Sequence, residues 1–208
     1  MSKITKDSNF NGHPLSTTYQ NDQGFRTVIL DKIWGLLDYM TKHHGKVFFT
    51  MFELNYPANS LGMYPEDNDA ISKFSEALMR HYGQDRRGYD PKYLWVRERS
   101  SSNQYHYHMI VLLDGNKCRN AHGIHEKAIE LWGLRLGRDA NGLVQLCRSH
   151  VHDNGYGGVQ LIRNSPDYQQ VFDHCFQCGS YFAKAYSKGF SAAYVNEYGC
   201  SRLPCLGQ

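Results

Sequence analysis

The chain has 208 residues, 41% of them hydrophobic and 13% aromatic, which is enough apolar material to bury one domain core and argues against disorder. Twenty-three Lys and Arg stand against 20 Asp and Glu, a formal net charge of +3 that suits a polyanionic partner without requiring one. The opening MSKITKDSNFNGHP lacks an apolar leader core, and the longest aliphatic run, Met109 to Leu113, is far too short to cross a bilayer, so the expectation is a soluble, unsecreted protein with no membrane partner.

Residues 1–24 are polar and turn-rich, with Asn9, Asn11, Gly12, Pro14, Asn21 and Gly24 and no periodicity, and read as a flexible N-terminal arm. From Phe25 to Lys42 the apolar residues Val28, Ile29, Ile33, Leu36, Leu37 and Met40 recur at steps of three and four, which predicts an amphipathic helix ended by Gly45. Lys46 to Tyr56 is rich in β-formers and stopped by Pro57, a first strand. A second helix is expected from about Asp69 to His81, with Ile71, Phe74, Leu78 and Met79 on its buried side. The basic linker QDRRGYDP then leads into two strand-like runs, Tyr93 to Arg99 and Tyr105 to Asp114, joined by the polar loop Ser100 to Gln104 as an antiparallel hairpin.

A helix around His125 to Leu136 comes next, then a weakly alternating stretch, Leu143 to Ile162, broken by Asp153, Asn154 and Gly155 and read as a further hairpin. Pro166 opens a last helix in which Tyr168, Val171, Phe172, Cys175, Cys178, Tyr181 and Phe182 keep helical spacing, running to about Lys188. This order of elements predicts an α+β fold whose central antiparallel sheet, of about five strands, is covered by helices, with the domain at 25–203 and a short tail at 204–208.

Six cysteines in a chain this long are too sparse for a disulfide framework and read as reduced thiols. His174 and Cys175-x-x-Cys178, with Cys200 and Cys205 downstream, leave open a zinc-stabilised interaction module. The helical setting of the first pair and the wide spacing of the second instead favour free, apolar cysteines.

His106-Tyr107-His108 lies inside a strand, where alternation turns both imidazoles to one face, close enough to share a divalent cation. With 11 histidines in the chain, about 0.6 such pairs arise by chance, and a second does occur at His150-Val151-His152. The first runs directly into the aliphatic Met109 to Leu113, a rigid central strand, whereas the second borders a turn and reads as surface imidazoles. A further ligand is needed. Glu98 reaches the same face if it lies opposite His106, a register in which a one-residue slip would remove it, and Glu53, in an otherwise apolar strand, is the other candidate.

Tyr181-Phe182-Ala183-Lys184, continued to Tyr186 and Lys188, is the second signal. On a helix, steps of three and seven set Tyr181, Lys184 and Lys188 on one face, so that ammonium groups favour a phenolate and stabilise negative charge on a phosphate. Tyr186 points elsewhere on such a helix and is assigned packing or an auxiliary contact. Alone, a Tyr-x-x-Lys among 15 tyrosines carries little weight, and it gains meaning as the partner of the histidine pair.

Trp95-Val96-Arg97-Glu98, then His106-Tyr107-His108, then Ser180-Tyr181-Phe182-Ala183-Lys184 and Tyr198-Gly199-Cys200-Ser201-Arg202 together resemble the inovirus-type replication proteins, the YagK/YfjJ C-terminal family of phages and prophages. Phe52-Glu53-Leu54-Asn55-Tyr56-Pro57 resembles that family's first motif with Glu in place of Asp, and the likeness spans about residues 25–203. The resemblance implies a rolling-circle initiator of the His-hydrophobic-His nickases in a bacterial host's cytoplasm. It would nick single-stranded DNA at an origin and leave a 5′-phosphotyrosine and a free 3′-hydroxyl, with the host replication machinery as a further partner. On it, His106 and His108 would hold Mg²⁺ or Mn²⁺ with Glu98 or Glu53, Tyr181 would be the nucleophile, and Lys184 would assist. Arg97, Arg99, Arg86, Arg87 and Lys188 would contact phosphates. Tyr107 is aromatic for a middle residue, and one well-placed tyrosine stands where some initiators use two. A DNA-binding regulator that kept the fold without cleavage is the rival reading.

Overall fold

The computed structural model describes residues 3–17, 23–99, 104–147, 157–189 and 194–204. Four short strands, β1 (Ile4–Thr5), β2 (Asn9–Phe10), β3 (His13–Pro14) and β4 (Phe25–Arg26), precede the first helix, with β1 paired to β4 and β2 to β3. Then follow α1 (Thr27–His43), β5 (Lys46–Asn55), α2 (Asp69–Gly83), β6 (Lys92–Arg99), β7 (Tyr105–Asp114), α3 (His122–Leu136), β8 (Val144–Leu146), β9 (Gly158–Ile162), α4 (Tyr168–Ser180), a 3-10 turn at Tyr181–Ala183, and β10 (Tyr198–Cys200). The long strands and the first two helices fall within two residues of the sequence expectation, because their periodicity and stop signals are unambiguous.

The central sheet is antiparallel, with the order β10-β6-β7-β5-β8 and with β9 also on β5, six strands where the sequence suggested about five. Strand alternation divides the core in two. Val47, Phe49, Met51, Leu94, Val96, Ile110 and Leu112 face α1 and α4, while Phe48, Phe52, Leu54, Trp95, Tyr107, Met109, Val111 and Leu113 face α2 and α3. On the second face Trp132 is fully buried and its indole N–H donates to the Asn55 carbonyl at 2.8 Å, pinning α3 to the end of β5. Truncating such a residue costs about 3–5 kcal/mol. β10 lies flat against Trp95 because residue 199 is glycine, where a Cβ would fall 2.6 Å from the indole ring.

Three sequence expectations need correction. β8 and β9 are not a hairpin: β8 runs antiparallel to Leu54–Phe52 and β9 to Thr50–Lys46, so they are consecutive pieces of one interrupted edge strand. Their interruption contains Asp153, Asn154 and Gly155, outside the described residues, as are Ser100 to Asn103. The N-terminal arm packs on the domain through Phe10, His13 and Leu15. Leu15 is buried in the core against α4, the His13 ring packs on Phe172 at 4.9 Å, and His13 Nδ1 lies 2.6 Å from Asp173 Oδ1. The final helix ends at Ser180 rather than near Lys188. After the 3-10 turn Lys184 takes up an extended conformation (ψ 132°), and its segment forms a β-bridge to Phe25 and a hydrogen bond from Ala185 N to Gly24 O of 2.9 Å.

Candidate metal and nucleophile site

The site grows from the register of three strands. β6 pairs with β7 so that Glu98 stands opposite His106 and Val96 opposite His108, and β5 places Glu53 opposite His108 on the other side. Alternation therefore delivers Glu98, Glu53, His106 and His108 to one face, beyond the apolar residues that hold α1 and α4. The imidazole Nε2 atoms are 3.2 Å apart, and Glu98 Oε2 lies 3.4 Å from His108 Nε2 and 3.8 Å from His106 Nε2. Among the described residues these three form the one cluster of histidine, cysteine and carboxylate ligands close enough to share a metal ion. Glu53, half-buried, stays outside that set.

Two donors each about 2.1 Å from one ion, at angles between square and tetrahedral, stand roughly 3.0–3.4 Å apart. The His106–His108 and His108–Glu98 separations fall in that span, and the His106–Glu98 separation is slightly wider, so the donor set fits a metal ion. Its chemistry fits as well. Burial, helped by His108, lowers the His106 pKa to about 4, so its imidazole is neutral and has a free lone pair at neutral pH. His108 Nδ1 is buried and has no hydrogen-bond partner among the described residues.

Glu98 is 2% exposed, and burial alone would raise its carboxyl pKa; the His108 hydrogen bond and the ammonium groups of Lys188 and Lys184 outweigh it and hold the group well below the usual carboxylate range. Lys184 Nζ sits 2.7 Å from Oε2 and Lys188 Nζ 2.8 Å from Oε1, so each oxygen has its own cation. Burial brings the Lys188 pKa down to about 8 against the pull of Glu98.

Tyr181 lies at the same place. Its ring centroid is 6.3 Å from that of His108, edge to face, and Lys184 Nζ stands 3.6 Å from the Tyr181 centroid. Lys184 thus bridges the carboxylate and the phenol. These groups meet through a different geometry from the helical face expected: the chain turns sharply at 181–183 and folds Lys184, Tyr186 and Lys188 back over the sheet. The same turn brings Tyr186, expected to point away, into hydrogen bonding with Tyr181. That bond favours the protonated form of Tyr186, whose pKa rises to about 12, mainly through burial.

The arginines lie elsewhere. Arg97 and Arg99 have the opposite strand parity to Glu98. Arg97, 3% exposed, donates to the Glu66 carbonyl at 2.9 Å and lies 3.7 Å over the Tyr105 ring, and Arg99 approaches the same ring at 5.8 Å. Both side chains lie on the other face of the sheet, away from the histidine cluster. Arg86 and Arg87 are exposed between α2 and β6, near the other end of β6 from Glu98, and Arg87 is paired with Asp85. Lys188 reaches the site as a buried partner of Glu98 and not as a surface contact. His150, His152 and Cys205 lie outside the described residues. The described cysteines are all free thiols; Cys175 is fully buried, and burial raises its pKa.

Sequence reasoning overlooked Phe182, which stacks on His108 at 4.9 Å and supports that ring from beneath. It also overlooked Glu197, which clasps Arg26 and the Gly189 amide across the chain segment that follows Lys188. Adjacency to Tyr181 was the available signal for Phe182; nothing local marked Glu197.

An antiparallel sheet carrying a His-His-Glu cluster, with a tyrosine and two buried lysines folded over it, defines an α+β domain with a candidate metal centre beside a candidate nucleophile. The chain belongs to the YagK/YfjJ C-terminal domain family, whose model matches residues 5–201. No curated protein matches it. Among solved structures it is similar to the N-terminal nuclease domain of the minute virus of mice non-structural protein 1, at 11% identity and a TM-score of 0.35, over 64% of this chain and 79% of that one. No helix among the described residues is long and apolar enough to cross a membrane.

Proposed function

We propose that this chain is a rolling-circle replication initiator of the inovirus type, a His-hydrophobic-His endonuclease that nicks single-stranded DNA at an origin. The observation that carries the reading is the position of Lys184, whose ammonium is 2.7 Å from Glu98 and 3.6 Å from the Tyr181 ring centroid. One cation there serves both a carboxylate ligand and a phenol. Two buried lysines around one buried carboxylate leave excess positive charge, which a phosphodiester would compensate.

In this reading the Tyr181 oxygen attacks phosphorus, a phenol–phosphorus bond forms and the bond to the 3′-oxygen breaks. The proton lost by the phenol is balanced by the one the 3′-oxygen takes up. The product is a 5′-phosphotyrosine and a free 3′-hydroxyl that can prime synthesis, and because the phosphoester is conserved the strand can be rejoined without a nucleotide cofactor. Tyr186, hydrogen-bonded to Tyr181, holds the attacking phenol in place, and Lys184 stabilises charge on the phenolate and on the phosphate. Phe182 and the flanking strands fix the His108 ring. His106, His108 and Glu98 would hold a divalent ion, whose positive charge polarises a non-bridging phosphate oxygen; two imidazoles favour Mn²⁺ over Mg²⁺.

The test is incubation with a single-stranded origin oligonucleotide and Mn²⁺, followed by denaturing electrophoresis. A covalent protein–DNA adduct is expected from the wild type and its loss from Tyr181→Phe. An adduct that survives in Tyr181→Phe removes Tyr181 as nucleophile, and salt-sensitive binding with no adduct from the wild type turns the reading into a non-cleaving regulator.

A further inference from the structure

Glu98 has two oxygens with different surroundings. Oε1 faces away from the imidazoles and is held by Lys188, whose side chain is completely buried. Oε2 is the oxygen turned toward His106 and His108, and Lys184 already sits 2.7 Å from it. An ion bound to the two imidazoles and to Oε2 would therefore meet a fixed ammonium at the same oxygen, and two cations so close in a buried pocket repel strongly. The two lysines differ in their alternatives. Lys184 Nζ lies 3.6 Å from the Tyr181 ring centroid and 5.4 Å from that of Tyr186, so a short swing carries it to the phenols. Lys188 has the Ser187 hydroxyl at 3.4 Å as its other neighbour and remains on Oε1.

We infer that Lys184 and a divalent ion compete for Glu98 Oε2: the ammonium fills the ion's place in the unloaded protein, and loading releases it to Tyr181 while Lys188 keeps the carboxylate oriented. This rests on the proposal that His106, His108 and Glu98 form a metal site. In the unloaded protein the Lys184 ammonium is shared between Glu98 and the Tyr181 ring, and only with the ion bound does it serve the nucleophile alone.

The test uses the 208-residue chain stripped of metal, with Mn²⁺ binding followed by the paramagnetic resonance signal of the free ion. Lys184→Gln should bind Mn²⁺ at least ten-fold more tightly than the wild type, and Lys188→Gln no more tightly, since it loses the anchor on Oε1. Equal tightening in both variants would reduce the effect to net charge and overturn the inference, as would unchanged affinity in Lys184→Gln. A His106→Ala/His108→Ala variant separates the two layers. If it abolishes Mn²⁺ binding while Lys184→Gln leaves affinity unchanged, the metal site stands and the competition falls. If Mn²⁺ binding in the wild type and in Lys184→Gln does not depend on these histidines, both fall. A wild-type measurement avoids any folding defect of the variants: a pulse of acetic anhydride with peptide mass analysis should label Lys184 several-fold more with Mn²⁺ than without and leave Lys188 unchanged. Equal labelling of Lys184 in both states overturns the inference.

Discussion

His106 shows how far the fold shifts one side chain from its behaviour in water. Burial and the neighbouring His108 lower its pKa to about 4, against 6.5 for a free imidazole. Between those values the unfolded chain binds a proton at this position that the native protein refuses, so the stability present above about pH 6.5 declines as pH falls toward 4. The loss is on the order of 2 kcal/mol. Urea melts in chelator at pH 7.5 and 4.5 should show it, and His106→Gln, which cannot take up the proton, should lose visibly less over the same interval. A variant as acid-sensitive as the wild type would mean that other groups carry the effect. Glu98 is shifted in the same direction, and so also loses stability in acid, but for the opposite reason: against the pull of burial, His108, Lys188 and Lys184 favour its charged form. Removing the charge in Glu98→Gln leaves two buried ammonium groups facing an amide, and a drop of about 3–5 kcal/mol is expected, with Mn²⁺ affinity lost as well. Metal titration and denaturation on one preparation check both.

Among the elements, the turn that carries Tyr181 depends most on distant sequence. α4 ends at Ser180, whose hydroxyl accepts from the Ser16 amide at 2.8 Å, and the chain re-enters β geometry where Ala185 N donates to Gly24 O and Lys184 bridges Phe25. The N-terminal segment therefore grips both ends of Tyr181–Lys184. Gly24 makes this possible: it sits at φ +71°, and a Cβ there would lie 2.3 Å from the Thr5 carbonyl oxygen. Gly24→Ala should cost about 1–3 kcal/mol and displace the turn without touching the sheet that holds His106, His108 and Glu98. The expected signature is divided: Mn²⁺ affinity near that of the wild type, and adduct formation per folded molecule reduced ten-fold or more. Unchanged adduct formation would mean that the turn holds itself, without the arm.

At the scale of the whole molecule, the sheet separates chemistry from support, and sequence period already implies that division. The run from His106 to Leu113 and its pairing with Glu98 were legible because period-two alternation and a short polar loop permit few registers. The same parity, applied one residue either way, sends Arg97 and Arg99 to the face opposite Glu98. What local pattern did not reveal is the turn after Ser180, because its geometry comes from residues 16 and 24, more than 150 positions earlier, which override helical propensity. β8 and β9 escaped for a similar reason: their common partner is β5 and not each other. The division between faces makes a prediction about Arg97. Its guanidinium ties β6 to the Glu66 carbonyl and covers Tyr105 on the α2 and α3 side, so its contribution belongs to folding. Arg97→Met keeps part of the stacked volume but removes the charged hydrogen bond, and should lower stability by about 1–3 kcal/mol. Since no phosphate bound beside Tyr181 can reach across the sheet to it, adduct formation per folded molecule should stay at the wild-type level. The salt dependence of single-strand binding should also keep its slope, whereas loss of one phosphate contact would make it shallower by about 0.7 in log–log terms. A shallower slope in Arg97→Met would put DNA on both faces of the sheet and end the assignment of the α2 and α3 side to structural support alone.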